Sequence, residues 1–189
     1  MFYKGFLVAI LILISPIFAK ISKASNKSQI INNLNKVETL RFDFKQESND
    51  IRENGVCFMK RPHFLKCLYK DKKEKELIIN RKNLVIYHKK FNKTYFYPVS
   101  KSFFLEILNK DKFSNLIMNG EIIGGNEKIE IKYYMKDKGE IVFFFDKENF
   151  DILGWNIIDV IGNKTFFDIK NTQKNILLEN KIFQIPEIN

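Results

Sequence analysis

The chain has 189 residues, a formal net charge of +10 and 45% hydrophobic residues, enough for one domain with a substantial core. Lys, Asn and Ile are abundant throughout, so the overall charge carries little functional weight, and an exported chain has little occasion to meet nucleic acid. The first residues bear on compartment: Lys4 precedes an apolar run from Gly5 to Ala19, closed by Lys20. The run is shorter than a membrane span, is broken by Pro16 and leads to small residues, as in a secretory signal. Cleavage is expected after Ala19 or Ala24, the alternative being an uncleaved anchor. Loss of residues 1–24 removes Lys4, Lys20 and Lys23 and leaves 25–189 as a single domain. No cysteine adjoins the signal, so the chain is not expected to be lipidated itself.

From Ser28, Ile30, Ile31, Leu34, Val37 and Leu40 recur at helical spacing and predict an amphipathic helix. At Leu40 the period switches to two, with Leu40, Phe42, Phe44 and Gln46 on one face of a strand. Strands are predicted at 55–60 and 63–70 around the Arg61-Pro62 turn, then at 76–80, 84–88 and 93–97. Ser100 or Ser102 is placed to cap a short helix through Phe103, Phe104, Ile107 and Leu108, and Asp111 to start another through Phe113, Leu116 and Ile117. Strands are predicted again at 120–123, 128–135, 140–146, 152–159, 164–170 and 176–183. So many short strands joined by polar turns, with few helices, predict an α+β, mainly antiparallel domain: a strongly curved sheet or open barrel with helices on one face.

Reaction chemistry finds little support. There is no nucleophile elbow and no glycine-rich phosphate cradle. His63 and His88, the only histidines, lack metal-ligand spacing, and the 22 acidic residues are scattered. Enzyme activity is therefore unsupported by the residues, without being excluded, and the expectation is a non-enzyme with no metal site. What stands out is 19 Phe and 7 Tyr against one Trp. Alternation places Phe42 with Phe44, Cys57 with Met59, Leu65 with Cys67, Phe143 with Phe145, and Trp155 with Ile157 on shared faces that could form one wall. A bulky covering segment carries Phe103, Phe104, Leu105, Ile107 and Leu108. A small lid over a broad apolar wall describes a ligand cavity as readily as a core.

Several segments resemble one family. Leu40–Gln46 (L-R-F-D-F-K-Q) resembles the first-strand signature of LolA proteins. Gly55–Cys67 (G-V-C-F-M-K-R-P-H-F-L-K-C) resembles their G-x-L-x-V-x-R-P-x-x-F-x-W hairpin, and Asn83–Tyr87 (N-L-V-I-Y) the strand after it. Leu153–Thr165 is similar to W-x-V-x-D-x-x-G-x-x-T, and Lys181–Pro186 to a terminal F-x-x-P. The pieces come in family order. The resemblance implies an unclosed β-barrel with an α-helical lid, and a periplasmic carrier of acylated lipoproteins. It implies loading by an inner-membrane ABC transporter, delivery to the outer membrane (with a separate receptor possible), a monomer and no cofactor. It gives Arg61 the role of lid latch, its guanidinium gripping lid carbonyls.

The chain departs from the pattern where Leu65 and Cys67 stand for Phe and Trp and Cys57 for Leu, so a roomier wall is expected, with Phe64 as a compensating residue. Cys57 and Cys67 are nearly equidistant from Pro62, and either a cross-strand disulfide or two buried thiols fits. Three other function classes fit the residues less well. A lipid or lipoprotein sensor on the same fold would add a partner-binding domain. An outer-membrane receptor would need a lipobox, and a lipid-modifying enzyme a nucleophile.

Overall fold

The computed structural model describes residues 16–125 and 127–186, with side chains from Asn26 onward. The apolar run of the expected signal therefore lies largely outside the described residues. Both candidate cleavage points fall within the backbone of the first helix, α1 (Pro16–Asn35).

Eleven strands follow α1. On one side of the lid are β1 (Thr39–Ser48), β2 (Ile51–Lys60), β3 (Phe64–Tyr69), β4 (Lys75–Asn80), β5 (Asn83–His88) and β6 (Lys93–Pro98). The lid helices are α2 (Phe104–Leu108) and α3 (Lys110–Asn119). Beyond them come β7 (Glu121–Gly124), β8 (Ile129–Met135), β9 (Gly139–Phe145), β10 (Ile152–Ile158) and β11 (Lys164–Lys174). All strands belong to one antiparallel sheet, ordered β6-β5-β4-β3-β2-β1-β11-β10-β9-β8-β7. The sheet does not close: β6 and β7 are its two edges, and the segment joining them in sequence is the lid. The expected open barrel with a helical cover is the observed architecture.

The first hairpin is longer than its sequence pattern indicates. β1 and β2 pair from Thr39–Lys60 up to Ser48–Ile51, around a two-residue turn at Asn49 and Asp50. Both turn residues have positive φ (48° and 65°), the twist-compatible hairpin geometry that Asn and Asp tolerate. The tip E-S-N-D-I-R-E-N is polar on both faces save for Ile51, which is exposed, so no alternation marks it.

Register places Leu40, Phe42, Phe44, Cys57, Met59, Leu65, Cys67, Ile79 and Leu84 on the face beneath the helices. The same face continues through Ile169, Phe167, Trp155, Phe143 and Ile131. Together with Ile30, Leu34 and Val37 from α1 and its exit, and with the lid residues, they form the main core.

The tail corrects one expectation. Residues 176–183 are not a strand: β11 stops at Lys174, Asn175 takes positive φ (55°), and the chain crosses the outer face as coil and a 3₁₀ turn. Phe183 is fully buried there, its ring 5.4 Å from that of Phe64. Asn80 Nδ2 donates to the Phe183 carbonyl at 3.1 Å, and Lys60 Nζ to the Leu178 carbonyl at 3.1 Å. The cause lies in β4 and β5, where Ile78 and Val85 point outward beside inward Ile79 and Leu84, and all are buried. Strands apolar on both faces need cover on both. Phe64 consequently serves the outer face and does not replace the missing cavity aromatics.

Gly154 marks a bulge between β9 and β10, with φ of 148°. A Cβ there would stand 2.1 Å from the Phe167 carbonyl oxygen. Gly154→Ala is expected to lower stability by about 2–3 kcal/mol, seen as a lower urea midpoint; an unchanged midpoint would remove the steric argument.

Candidate functional site

The wall beneath the lid is built from stacked rings. Trp155 and Phe167, opposite each other on β10 and β11, stack at 4.4 Å with planes 2° apart. Phe44 on β1 stacks on Phe167 at 5.0 Å, and Tyr69 on β3 meets Phe44 edge-on at 4.9 Å. Phe104 of the lid closes the series edge-on to Trp155 at 6.5 Å. Such pairs add roughly 0.5–1.5 kcal/mol each beyond burial, so the ladder ties β10, β11, β1 and β3 together beneath the lid.

Leu34, Val37, Leu40, Phe42, Met59, Leu65, Cys67, Trp155, Phe167 and Ile169 line a narrow, partly open cavity from the sheet and α1 side. Phe104, Ile107, Leu108 and Phe113 line it from the lid. Its free volume is only about 50 Å³. That is room for a few waters, far below the several hundred Å³ of an ordinary ligand pocket. The lid's own side chains line and narrow the space, so this is a largely self-filled site. At one end Asn33 Nδ2 donates to Asp151 Oδ1 at 2.6 Å, and Lys174 forms an ion pair with the same oxygen. A second cleft of about 270 Å³ runs beside it, between Gln46, Tyr69, Leu77 and Ile86 on one side and Phe104, Trp155 and Phe167 on the other.

Of the wall residues expected from sequence, Phe42, Met59, Leu65, Cys67 and Trp155 line this cavity directly. Phe44 and Cys57 are buried behind it, and Ile157 lines the second cleft. Phe143 and Phe145 are fully buried, and Phe143 packs against Phe113 of α3 at 4.9 Å, as core under the lid. Cys57 and Cys67 face each other across β2 and β3 and are joined as a disulfide. Replacing both by Ser is expected to cost about 2–4 kcal/mol, read as a shifted thermal midpoint, with no effect from reductant on the double variant. An equal midpoint would show the crosslink to be idle.

In the lid, Phe103, Ile107 and Leu108 are buried, while Phe104 and Leu105 are half-buried. The expected serine cap is absent. Ser102 Oγ donates backward to the Val99 carbonyl at 2.8 Å, and α2 begins after Phe103 with no side-chain cap. The next helix is capped by Asn109, whose side chain accepts from the Lys112 amide at 2.9 Å, so Asp111 lies within its first turn.

Arg61 leaves the β2–β3 turn and is 8% exposed, lining the cavity. Its guanidinium carbon lies 5.6 Å from the centroid of Phe113, a cation–π contact with the lid. Nε and Nη1 are buried without hydrogen-bond partners, so the carbonyl grip implied by the family resemblance is not made through them. Burial lowers its pKa to about 10, partly offset by Glu38, so the group stays charged at neutral pH.

The polar tie between lid and sheet is instead a pair that sequence reasoning missed. Glu106 of α2 and Lys138 of the β8–β9 turn are each 7% exposed. Lys138 Nζ donates to Glu106 Oε1 at 2.9 Å, to Oε2 at 2.8 Å and to the Ser102 carbonyl at 3.0 Å. All three ammonium protons are thereby used. The signal was available: Glu106 is the lone acid within F-F-L-E-I-L, and a buried acid needs a cation. Among the described residues no cluster of His, Cys, Asp or Glu could hold a metal ion.

Known proteins supply the frame for this geometry. The chain is similar to an uncharacterized conserved protein from Thermus thermophilus, with a TM-score of 0.53 at 10% identity over 88% of this chain and 95% of that one. It is similar to a DUF1329 family protein from Desulfovibrio piger, with a TM-score of 0.50 at 10% identity over 85% and 96%. MucB of Pseudomonas aeruginosa, solved in complex with MucA, aligns with a TM-score of 0.50 at 10% identity, over 87% of this chain and 61% of its counterpart. These likenesses establish a shared fold. No curated protein matches the sequence. The sequence profile of the outer membrane lipoprotein carrier protein LolA, however, matches residues 35–186, nearly all of the described domain, and the chain therefore belongs to the LolA family.

Proposed function

We propose that this chain is an exported carrier that shields the acyl chains of lipoproteins released from the inner membrane and delivers them to the outer membrane. The observation that carries the reading is the self-filled cavity. An apolar wall is covered by a lid whose Phe104, Ile107 and Leu108 stand where an apolar ligand would lie. Burying acyl chains is worth about 0.8 kcal/mol per CH₂, so lipidated proteins do not cross water unaided. An empty open cavity would be an exposed apolar patch, which a covering lid avoids. Exchange of lid for cargo then swaps one apolar cover for another at small net cost.

On this reading residues 1–24 are removed on export, the site works in the periplasm as a monomer without cofactor, and no reaction is catalysed. Loading is from a lipoprotein-releasing ABC transporter, with an outer-membrane receptor as an optional acceptor. The chain, added to spheroplasts, is expected to release acylated lipoproteins into the supernatant; release no greater than with buffer would end the proposal. Arg61→Leu keeps the apolar wall and removes the cation that rests on Phe113. It is expected to take up cargo normally and to deliver it at least roughly tenfold less, the loss of about 1.4 kcal/mol of lid coupling. Unchanged delivery would assign Arg61 to packing alone. MucB, of this fold, is solved bound to the protein MucA, and a second reading is a lipid or lipoprotein sensor that docks a partner protein; it would bind acylated cargo without releasing lipoproteins from spheroplasts.

A further inference from the structure

The edge strand β6 and its turn differ from the rest of the surface. Tyr95, Phe96 and Tyr97, on both faces of β6, are 45%, 52% and 49% exposed, and Phe91 in the turn before it is 54% exposed, a group of aromatics left in water. Isolated exposed apolar residues need no explanation, but a contiguous aromatic group does. The same stretch is electrostatically one-sided. From Leu77 to Leu105 there is no Asp or Glu, while Arg81, Lys82, Lys89, Lys90, Lys93 and Lys101 are all present and exposed. The acids beside the hairpin are all engaged: Glu76 of β4, opposite Tyr87, is paired with Lys66 at 2.8 Å, and the others belong to the β3–β4 turn. Glu74 reaches Lys89 at 3.7 Å, and Asp71 Oδ1 is engaged with the amides of Lys73 and Lys75.

We infer that the β5–β6 hairpin docks on the surface of an anionic phospholipid bilayer. Aromatic rings beside lysines suit the headgroup region, where rings sit at the apolar boundary and ammonium groups meet lipid phosphates. Addition of a protein strand to this edge is the alternative occupant, and the edge is built against it. Lys93 opens the strand and Pro98, without an N–H, ends it, both devices that blunt edge pairing. The placement also has a use. Tyr95 pairs with Ile86, and Ile86 lines the cleft shared with Phe104 and Trp155, so a docked hairpin holds that cleft one strand away from the lipid surface. The inference does not depend on lipoprotein as cargo. Vesicle binding without lipoprotein release would keep it and end the carrier reading.

The test floats the full chain with vesicles of phosphatidylcholine alone and of equimolar phosphatidylglycerol and phosphatidylcholine. The readout is the excess bound to anionic vesicles, which an apolar N-terminal segment does not supply. The excess is expected to fall with added salt and to drop at least ~10-fold in Lys89→Glu/Lys90→Glu/Lys93→Glu. A several-fold drop is expected in Phe91→Ser/Phe96→Ser, whose side chains are exposed and whose thermal midpoint should match the parent's. Equal binding to both vesicle types, or an excess unchanged in both variants, would overturn the inference. So would absence of vesicle binding together with a self-associated chain that the Phe91/Phe96 variant turns monomeric, which would assign the edge to strand pairing.

Discussion

Lys138→Met should loosen the lid. The change keeps an unbranched chain one atom shorter and strands the Glu106 carboxylate in a site only 7% exposed. Removing one partner of a buried pair costs about 3–5 kcal/mol, because the remaining charge is neither hydrated nor matched. The molecule has an escape that a closed core lacks: α2 can swing outward and return Glu106 to water. The cost is therefore expected mainly as local opening rather than global unfolding. An apolar fluorescent dye should bind the variant at least roughly tenfold better than the parent, with a smaller fall in the urea midpoint. Glu106→Leu/Lys138→Met leaves no charge behind and should return dye binding close to the parental level. Equal dye binding by all three proteins would mean that the pair does not hold the lid.

Trp155→Ala is the second large effect. Trp155 is 4% exposed, stacks on Phe167 and meets Phe104 edge-on, so its removal breaks the ring ladder at the point shared by sheet and lid. Truncation of a buried Trp costs about 3–5 kcal/mol, transfer and residual cavity together. Circular dichroism in urea measures it directly, since Trp155 is the chain's sole Trp. A loss below about 1 kcal/mol would show that the lid collapses into the space and that the ladder adds little.

The strands were legible because one wet face and one apolar face give a period of two, and the meander followed from their short polar turns. The lid was legible as bulky apolar residues between two runs of strands. What escaped did so for physical reasons. Residues 176–183 look like a strand because Ile176, Leu178 and Phe183 are apolar, yet the sheet needed a cover for outward Ile78 and Val85, which only the assembled sheet reveals. Phe166 and Phe167 are adjacent and interchangeable in sequence; pairing with Trp155 turns Phe167 inward, 4% exposed, and leaves Phe166 46% exposed. Glu106 and Lys138 are far apart in sequence and join only through the fold. The disulfide was open from sequence because spacing about a turn allows a cross-strand pair without requiring it, and the direct register of Cys57 with Cys67 decides it.

The central claim, that acyl chains take the place of the lid against this wall, meets its most direct test at Trp155. The residue lines the cavity beneath Phe104 and is the only Trp in the chain, so its emission reports that site alone. Titration with a diacylated lipopeptide carrying brominated acyl chains should quench the emission saturably, while the same peptide without acyl chains leaves it unchanged. Binding of the lipopeptide with Trp155 emission undiminished would place acyl chains elsewhere and contradict the account.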